Sequence, residues 1–397
     1  MSNHRSSSEI KVLDGNRAAA YGAMLCQPDV IAAYPITPQS EVVETLFDFK
    51  AQGLLNGELI EPESEHSSMG ILRGASVAGG RTFTATAAQG LLFMFENCIH
   101  VATQRLPIVM VNVCREVAGP HIVVCGHSDI MMVKEMGWIQ LHAQSCQEIL
   151  DLILMAYRLA EDRQIRTPAV ACYDGWYLSH LWEPVEIPPR ETVEQFLPRL
   201  ETRPQVDPET PMVFGPWISG WTGTEYRYKQ SAAISQAKAK FDEIDQEFRE
   251  IFGRGYGGQI EEYRTDDADI VLIAMGSSAS TAKVAIDKKR DEGLRAGLIR
   301  IRMFRPFPRE RLVAVLQQKR AIGVIDRSVC FGWDCGNLFL ELKAGLYNSA
   351  VNAPLLNFIC GLCGIDVTTE IIERAVDDVS RAAQGDAYTE VIWPDLE

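Results

Sequence analysis

Between residues 15 and 180, segments with helical spacing of apolar residues alternate with short apolar runs. That alternation constrains the fold more than any other feature. A short apolar run buried on both faces needs a parallel sheet with helices on either side, which makes the chain α/β. Arg17 to Cys26 reads as a helix and Val30 to Ala33 as a strand. After the turn Tyr34-Pro35-Ile36-Thr37-Pro38 the spacing predicts a helix N-capped by Thr37, with Pro38 at its first position and Val42, Val43, Leu46 and Phe47 as its apolar stripe. Glu65 to Ala78 reads as a helix of small residues, Thr82 to Ala87 as a strand, Gln89 to Gln104 as a helix and Leu106 to Val113 as a strand running into Cys114-Arg115. Ser145-Cys146-Gln147-Glu148 is a capping box opening a helix with Ile149, Leu152, Ile153, Ala156 and Leu159 on its apolar face, and Thr167 to Asp174 is the closing strand.

Eight of the nineteen prolines fall between Pro184 and Pro216, so regular structure is interrupted there and a linker is expected. A charged helix from about Ala232 to Phe252 follows, then the cluster Gly253-Arg254-Gly255-Tyr256-Gly257-Gly258. Those glycines come after a helix and do not join a strand to one, so they are not a dinucleotide fingerprint. Alternation resumes with strands at Ile270–Met275, Gly297–Arg302, Ala321–Asp326 and Leu355–Cys360 and a last helix after Asp366. The expected division is a disordered leader at 1–14, a first α/β domain at 15–183, a linker and connecting helix at 184–264, and a C-terminal α/β domain at 265–397.

The net charge of −15 argues against nucleic acid or anionic membrane as the main partner, since both are bound through clustered Lys and Arg. No apolar run is long enough to span a bilayer, and the polar start MSNHRSSSE lacks a secretory or transit pattern, so a cytoplasmic protein without membrane insertion is expected. Ten cysteines scattered through apolar segments read as reduced, buried thiols. Cys360-Gly361-Leu362-Cys363, with Cys330 and Cys335, offers four thiols, but one CxxC without matching spacing elsewhere is a weak metal signature, and no metal ligand is assigned.

Parallel sheets bind ligands at the carboxyl ends of their strands, which directs attention to Thr37, Glu65 and Arg115. Taken singly, each has an ordinary structural explanation: a helix cap, an acidic first turn, an ion-pair partner. Together, Tyr34-Pro35-Ile36-Thr37-Pro38, then Glu63-Ser64-Glu65-His66, then Thr84-Ala85-Thr86-Ala87-Ala88-Gln89-Gly90, then the strand-end Arg115 form a series with a known counterpart. Gly126-His127-Ser128-Asp129, Asp174-Gly175-Trp176, Met275-Gly276-Ser277, Phe304-Arg305-Pro306-Phe307-Pro308 and Asp326-Arg327 continue it over nearly the whole chain. In these motifs the sequence resembles the alpha subunit of pyruvate:ferredoxin oxidoreductase and related 2-oxoacid:acceptor oxidoreductases.

The resemblance implies a pyrimidine-type thiamine-diphosphate-binding domain followed by a smaller transketolase-C-terminal-like α/β domain, and CoA-dependent oxidative decarboxylation of a 2-oxoacid. It implies that Glu65 hydrogen-bonds N1′ of the cofactor's aminopyrimidine, that Arg115 pairs with the substrate carboxylate, that the Thr37 hydroxyl approaches the substrate, and that Pro35, Ile36 and Gln89 lie against the cofactor. No GDG segment with a downstream Asn pair and no ferredoxin-type cysteine run occurs in the chain. The resemblance therefore assigns the diphosphate and Mg²⁺ to a beta subunit and the 4Fe-4S clusters to partners, among them gamma and ferredoxin-like delta subunits. The loop Glu116 to Cys125 is rich in apolar residues and borders Arg115, which raises an aromatic 2-oxoacid such as phenylglyoxylate, with NAD or ferredoxin as acceptor, beside pyruvate. Oxalate-using relatives carry Arg where this chain has Thr37, which makes oxalate a poorer fit. A non-catalytic scaffold and a redox protein built on the C-terminal cysteines are the readings from other classes.

Overall fold

The computed structural model describes residues 8–117, 121–199, 206–211, 213 and 215–396. Two open sheets account for its architecture. The first has seven strands, in the order Met303–Arg305, Ile139–His142, Ala169–Asp174, Val109–Cys114, Thr82–Thr86, Val30–Ala32, Glu58–Ile60. All are parallel except Met303–Arg305, which arrives from the second half of the chain and pairs antiparallel with Ile139–His142. The second has six strands, in the order Val391–Ile392, Leu355–Ile359, Ala321–Asp326, Ile270–Met275, Ala296–Ile301, Ile260–Tyr263, the last antiparallel. Ile260–Tyr263 lies in the stretch read as connector and belongs to this second sheet.

Both faces of the central strands are buried. Val109, Val111 and Val113 point into a core formed with the helices Gly15–Cys26, Ser40–Ala51 and Cys146–Ala160, while Met110 and Cys114 join a core shared with Val271, Ile273, Ile299 and Ile301 of the other sheet. This continuous apolar contact joins the two halves. A third core lies under the helices Ser277–Asp291 and Thr369–Gln384.

Several expectations need correction. The helix after the YPITP turn begins at Ser40, so Thr37 is not its cap; Gln39 precedes it without a side-chain capping bond. Its buried stripe is Val42, Val43, Leu46 and Phe49, and Phe47 is exposed: helical spacing allowed either phenylalanine, and the neighbouring helix selected Phe49, whose ring packs edge-on against Tyr21. The helix expected from Gln89 to Gln104 is two, Ala88–Phe93 and Phe95–Thr103. Glu9–Leu13, expected to be part of a disordered leader, is a strand paired with Glu183–Ile187; Met1 to Ser7 lie outside the described residues. The charged helix starts twelve residues early, at Gly220, because nothing after Pro216 breaks it, and only its second half is buried. The short strand Ile139–His142 had no periodicity to reveal it.

The Ser145 half of the capping box forms, its side chain accepting from the Glu148 amide, while the Glu148 carboxylate accepts from the Gln144 amide at 3.0 Å, one residue before the cap. Glu148 does more than cap. Fully buried, it accepts from Arg300 Nη1 at 2.7 Å and from Arg302 Nε at 2.7 Å, and those guanidinium groups also reach Glu261 and Asp245. Burial alone would raise the Glu148 pKa, but the two arginines outweigh it and hold the carboxylate below its ordinary range.

Replacing Glu148 with Gln leaves two buried guanidinium groups short of charge and is expected to cost about 3–5 kcal/mol, a fall of about 4–6 °C in unfolding midpoint for a chain of this length. Removing the exposed Arg190–Glu194 pair by Arg190→Ala should change stability by less than about 1 kcal/mol. Equal effects in the two variants, by thermal denaturation, would contradict the placement of Glu148 at the centre of the network.

Candidate active site

The predicted site residues all leave the carboxyl ends of four adjacent parallel strands. Arg115 follows Val109–Cys114, Gln89 follows Thr82–Thr86, Thr37 follows Val30–Ala32 and Glu65 follows Glu58–Ile60. Pairing order thus brings together residues up to 78 apart in sequence, as the contact between Thr37 and Arg115 shows.

Glu65 opens the helix Glu65–Val77, which Ser64 caps by accepting from the Ser67 amide. Only 8% exposed, its carboxylate has no hydrogen-bond or ion-pair partner among the described residues. The tight turn over it is made by Ala88, at φ +44°, and Gly90. A side chain at Gly90 would place its first carbon 2.5 Å from Glu65 Oε1 and 2.7 Å from Thr86 Oγ1, so glycine is required for the backbone to lie on the carboxylate. Gln89 on the same turn is half-buried, with a buried Oε1 that has no partner.

Arg115 donates through Nη1 to the Thr37 carbonyl at 2.8 Å and through Nε to the Ile122 carbonyl at 3.1 Å. Both contacts orient the guanidinium and leave Nη2 without a partner among the described residues. The Thr37 hydroxyl is exposed, as is Pro35, while Ile36 packs against the first core. The structure thus joins Thr37 to Arg115 directly, and Glu65 to the Gln89–Gly90 turn.

A residue given no role by sequence reasoning connects these two pairs. Asp129 is fully buried and its Oδ2 accepts from the Arg115 amide at 3.1 Å, the Ala88 amide at 3.0 Å and Asn112 Nδ2 at 3.0 Å. Burial pushes its pKa up to about 6 against these hydrogen bonds. Its presence in a Gly-His-Ser-Asp segment opening a five-residue helix was visible; its reach across two strand ends was not.

The loop from Glu116 is held from both halves of the chain. Glu116 N donates to Val124 O at 3.1 Å, Gly364 N to Cys125 O at 3.1 Å, and Trp176 Nε1 to Val123 O at 2.5 Å. Trp176, at φ +64°, stacks on His180 with ring centroids 4.4 Å apart. An exposed apolar surface of Val123 and Trp176 therefore adjoins the Arg115 loop. Ala118 to Pro120 lie outside the described residues. Of the four C-terminal thiols, Cys330 and Cys335 face each other across a bridge, and the two do not join Cys360 and Cys363 in a ligand cluster among the described residues.

A chemical test of the fit to thiamine diphosphate is whether a buried acceptor awaits a donor. Gln89 Oε1 is such an acceptor, and the Glu65 carboxylate, on a residue only 8% exposed, has no partner among the described residues; both lie at a turn where a side chain at Gly90 would press on Glu65 and Thr86, so these residues fit an aminopyrimidine. Gly90→Ala is expected to overpack this turn by about 1–3 kcal/mol, read as a lower unfolding midpoint. An unchanged midpoint would contradict the close approach of Gly90 to Glu65.

Comparison with known proteins follows the same lines. Residues 21–246 match the family "Pyruvate flavodoxin/ferredoxin oxidoreductase, thiamine diP-bdg", and residues 268–372 match "Pyruvate:ferredoxin oxidoreductase core domain II". The chain is 38% identical over 387 residues to pyruvate synthase subunit PorA of Methanosarcina barkeri, covering 97% of this chain and 96% of that one. It is also 38% identical over 394 residues to the alpha subunit of NADH-dependent phenylglyoxylate dehydrogenase of Aromatoleum evansii, covering 97% and 94%. A solved structure of 2-oxoglutarate:ferredoxin oxidoreductase from Magnetococcus marinus superposes with a TM-score of 0.71 at 20% identity, over 93% of this chain. This chain spans 65% of that longer one, and the likeness is one of fold. With a thiamine diphosphate-binding region over more than half its length and near-complete coverage by its relatives, the chain belongs to the pyruvate:ferredoxin oxidoreductase family.

Proposed function

We propose that the chain is the aminopyrimidine-binding alpha subunit of an oxidoreductase that converts a 2-oxoacid and CoA to acyl-CoA and CO₂, and that Glu65, Arg115 and Thr37 are its catalytic residues. The observation that carries this reading is the carboxylate of the buried Glu65, beneath Gly90 and without a partner among the described residues, on the same sheet edge as Arg115 and Thr37. Thiamine diphosphate, when bound, supplies a nucleophilic carbon and an electron sink for the loss of CO₂. Glu65 accepts a hydrogen bond from the aminopyrimidine ring, and its low-dielectric surroundings strengthen that charge-assisted contact. Pro35, Ile36 and Gln89 line the cofactor's side of the site. Arg115 offers to the substrate carboxylate its Nη2, which has no partner among the described residues, its other nitrogens being held by Thr37 and Ile122. The Thr37 hydroxyl is the donor nearest the substrate carbonyl.

The other half of the site belongs to partner chains. A beta subunit holds the diphosphate and Mg²⁺, and gamma and ferredoxin-like delta subunits complete the complex, with 4Fe-4S clusters on partners passing electrons to ferredoxin or another acceptor. No helix among the described residues is long and apolar enough to cross a membrane, and the proposed complex is cytoplasmic. Pyruvate-type acids are the first substrate reading. The apolar surface of Val123 and Trp176 beside the Arg115 loop favours a second, an aromatic 2-oxoacid such as phenylglyoxylate, with NAD or ferredoxin as acceptor.

Purified anaerobically, the complex is expected to reduce a viologen dye in a CoA-dependent manner with one of pyruvate, 2-oxobutyrate, 2-oxoglutarate, phenylglyoxylate or oxalate. Glu65→Gln should lower the rate by about 10²–10⁴-fold. Arg115→Ala should raise KM by about 10–100-fold through loss of a charge-assisted hydrogen bond. A higher kcat/KM for phenylglyoxylate than for pyruvate selects the aromatic reading. No activity with any acid, in a complex that retains thiamine, would sink the enzymatic reading and leave the scaffold.

A further inference from the structure

Beside the strand end that carries Arg115, the first sheet buries a group of soft ligands that the mechanism does not use. His142, Cys172 and Asn112 are register partners across three neighbouring strands, and Cys114 lies two residues beyond Asn112 on the same face. The two sulfurs and an imidazole nitrogen of Cys114, Cys172 and His142 all lie within 4.8 Å of one another. Among the described residues no other three His, Cys, Asp or Glu side chains are gathered this way. All three are buried, Cys114 and Cys172 completely and His142 to 1% exposure.

Packing alone accounts poorly for this group. Both ring nitrogens of His142 are buried without a hydrogen-bond partner, as is Oδ1 of Asn112. Each such group costs about 1–3 kcal/mol, which an apolar side chain of similar shape would avoid. His142 instead sits with His127 at 5.8 Å and Phe304 at 6.3 Å between ring centroids, its imidazole turned toward two thiols.

We propose that Cys114, Cys172 and His142 bind one zinc ion, with a water molecule as fourth ligand and Asn112 as the outer partner. Two sulfurs and one imidazole nitrogen suit a soft or borderline ion, and zinc accepts three protein ligands plus water. Charge favours zinc. Binding Zn²⁺ releases two thiol protons to solvent, so the site passes from three neutral ligands to a neutral complex and buries no net charge, whereas Cu⁺ with two thiolates would leave one negative charge in the core. Asn112 Nδ2 lies 3.6 Å from Cys114 Sγ, placed to donate to a thiolate, and its unpartnered Oδ1 can accept from the bound water. Both ring nitrogens of His142 are buried without a partner, so one is available to coordinate.

The location suggests what the ion does. Cys114 precedes Arg115, and Cys172 stands two residues before Asp174, so zinc would tie the strand end that carries Arg115 to the two strands beside it, Ala169–Asp174 and Ile139–His142. It would act as a support for Arg115, outside the reacting atoms.

The native complex, purified without chelator and passed through a desalting column, should contain one zinc per copy of this chain, by elemental analysis. X-ray absorption at the zinc edge should show sulfur at about 2.3 Å and nitrogen at about 2.0 Å. Cys172→Ala and His142→Leu should each lower bound zinc by at least about tenfold. Should either fail to fold, the wild-type edge spectrum decides alone. A shell of nitrogen and oxygen only, copper in place of zinc, zinc undiminished in the Cys114→Ala/Cys172→Ala double variant, or no uptake from zinc chloride under reducing conditions would each overturn the proposal.

Discussion

A single buried carboxylate, Asp174, sets how the two sheets meet. It stands at the end of the central strand Ala169–Asp174 and accepts from Arg327 Nη1 at 3.0 Å and the Ser277 amide at 2.9 Å, both on the second sheet's side, and pairs with His127 at 2.7 Å. Burial works against its charge, but His127 and Arg327 outweigh burial and hold its pKa far below the ordinary carboxylate range. It thus satisfies the first turn of the helix Ser277–Asp291, where a negative group is favoured by the exposed amides. Gly276 has room for no side chain there, since one would begin 2.8 Å from Asp174 Oδ1.

From Asp174 the constraint passes to the site. His127 N donates to the Arg327 carbonyl, and Arg327 reaches the Gly361 carbonyl, so the turn Cys360–Gly364 is held against the loop from Glu116 at Val124 and Cys125. Arg115 takes its direction from that loop through Ile122 and from the neighbouring strand end through Thr37. The second sheet therefore shapes the surroundings of a cation carried by the first, which gives the C-terminal half of the chain a part in the site without supplying a reacting group.

The central elements were legible in the sequence because their signals are local. Continuous apolar runs such as Ile270 to Met275, and the Ser145 capping signal, need only neighbours a few residues away. What was not legible depends on partners far along the chain. Ile139–His142 is four residues long and is a strand because Ala169–Asp174 and Met303–Arg305 flank it. Asp129 gains its importance from amides at Ala88 and Arg115, and Glu148 from two arginines more than 150 residues later. For the site, the order of motifs pointed to Thr37, Glu65 and Arg115. Which of them touch, and that Glu65 lies under Gly90, followed only from strand order. Cys114, His142 and Cys172 carry no spacing signature, since register alone brings them together.

The site is half built by design of the fold: among the described residues, the carboxylate of the buried Glu65 has nothing to accept from, and Arg115 is an oriented guanidinium whose Nη2 has no partner. A high-resolution structure of the whole complex with thiamine diphosphate bound tests this most directly. It should place the Glu65 carboxylate within about 3 Å of the aminopyrimidine N1′, with the diphosphate and Mg²⁺ on another chain. A cofactor whose diphosphate is held by this chain, or whose ring nitrogen meets a different carboxylate, would contradict the account.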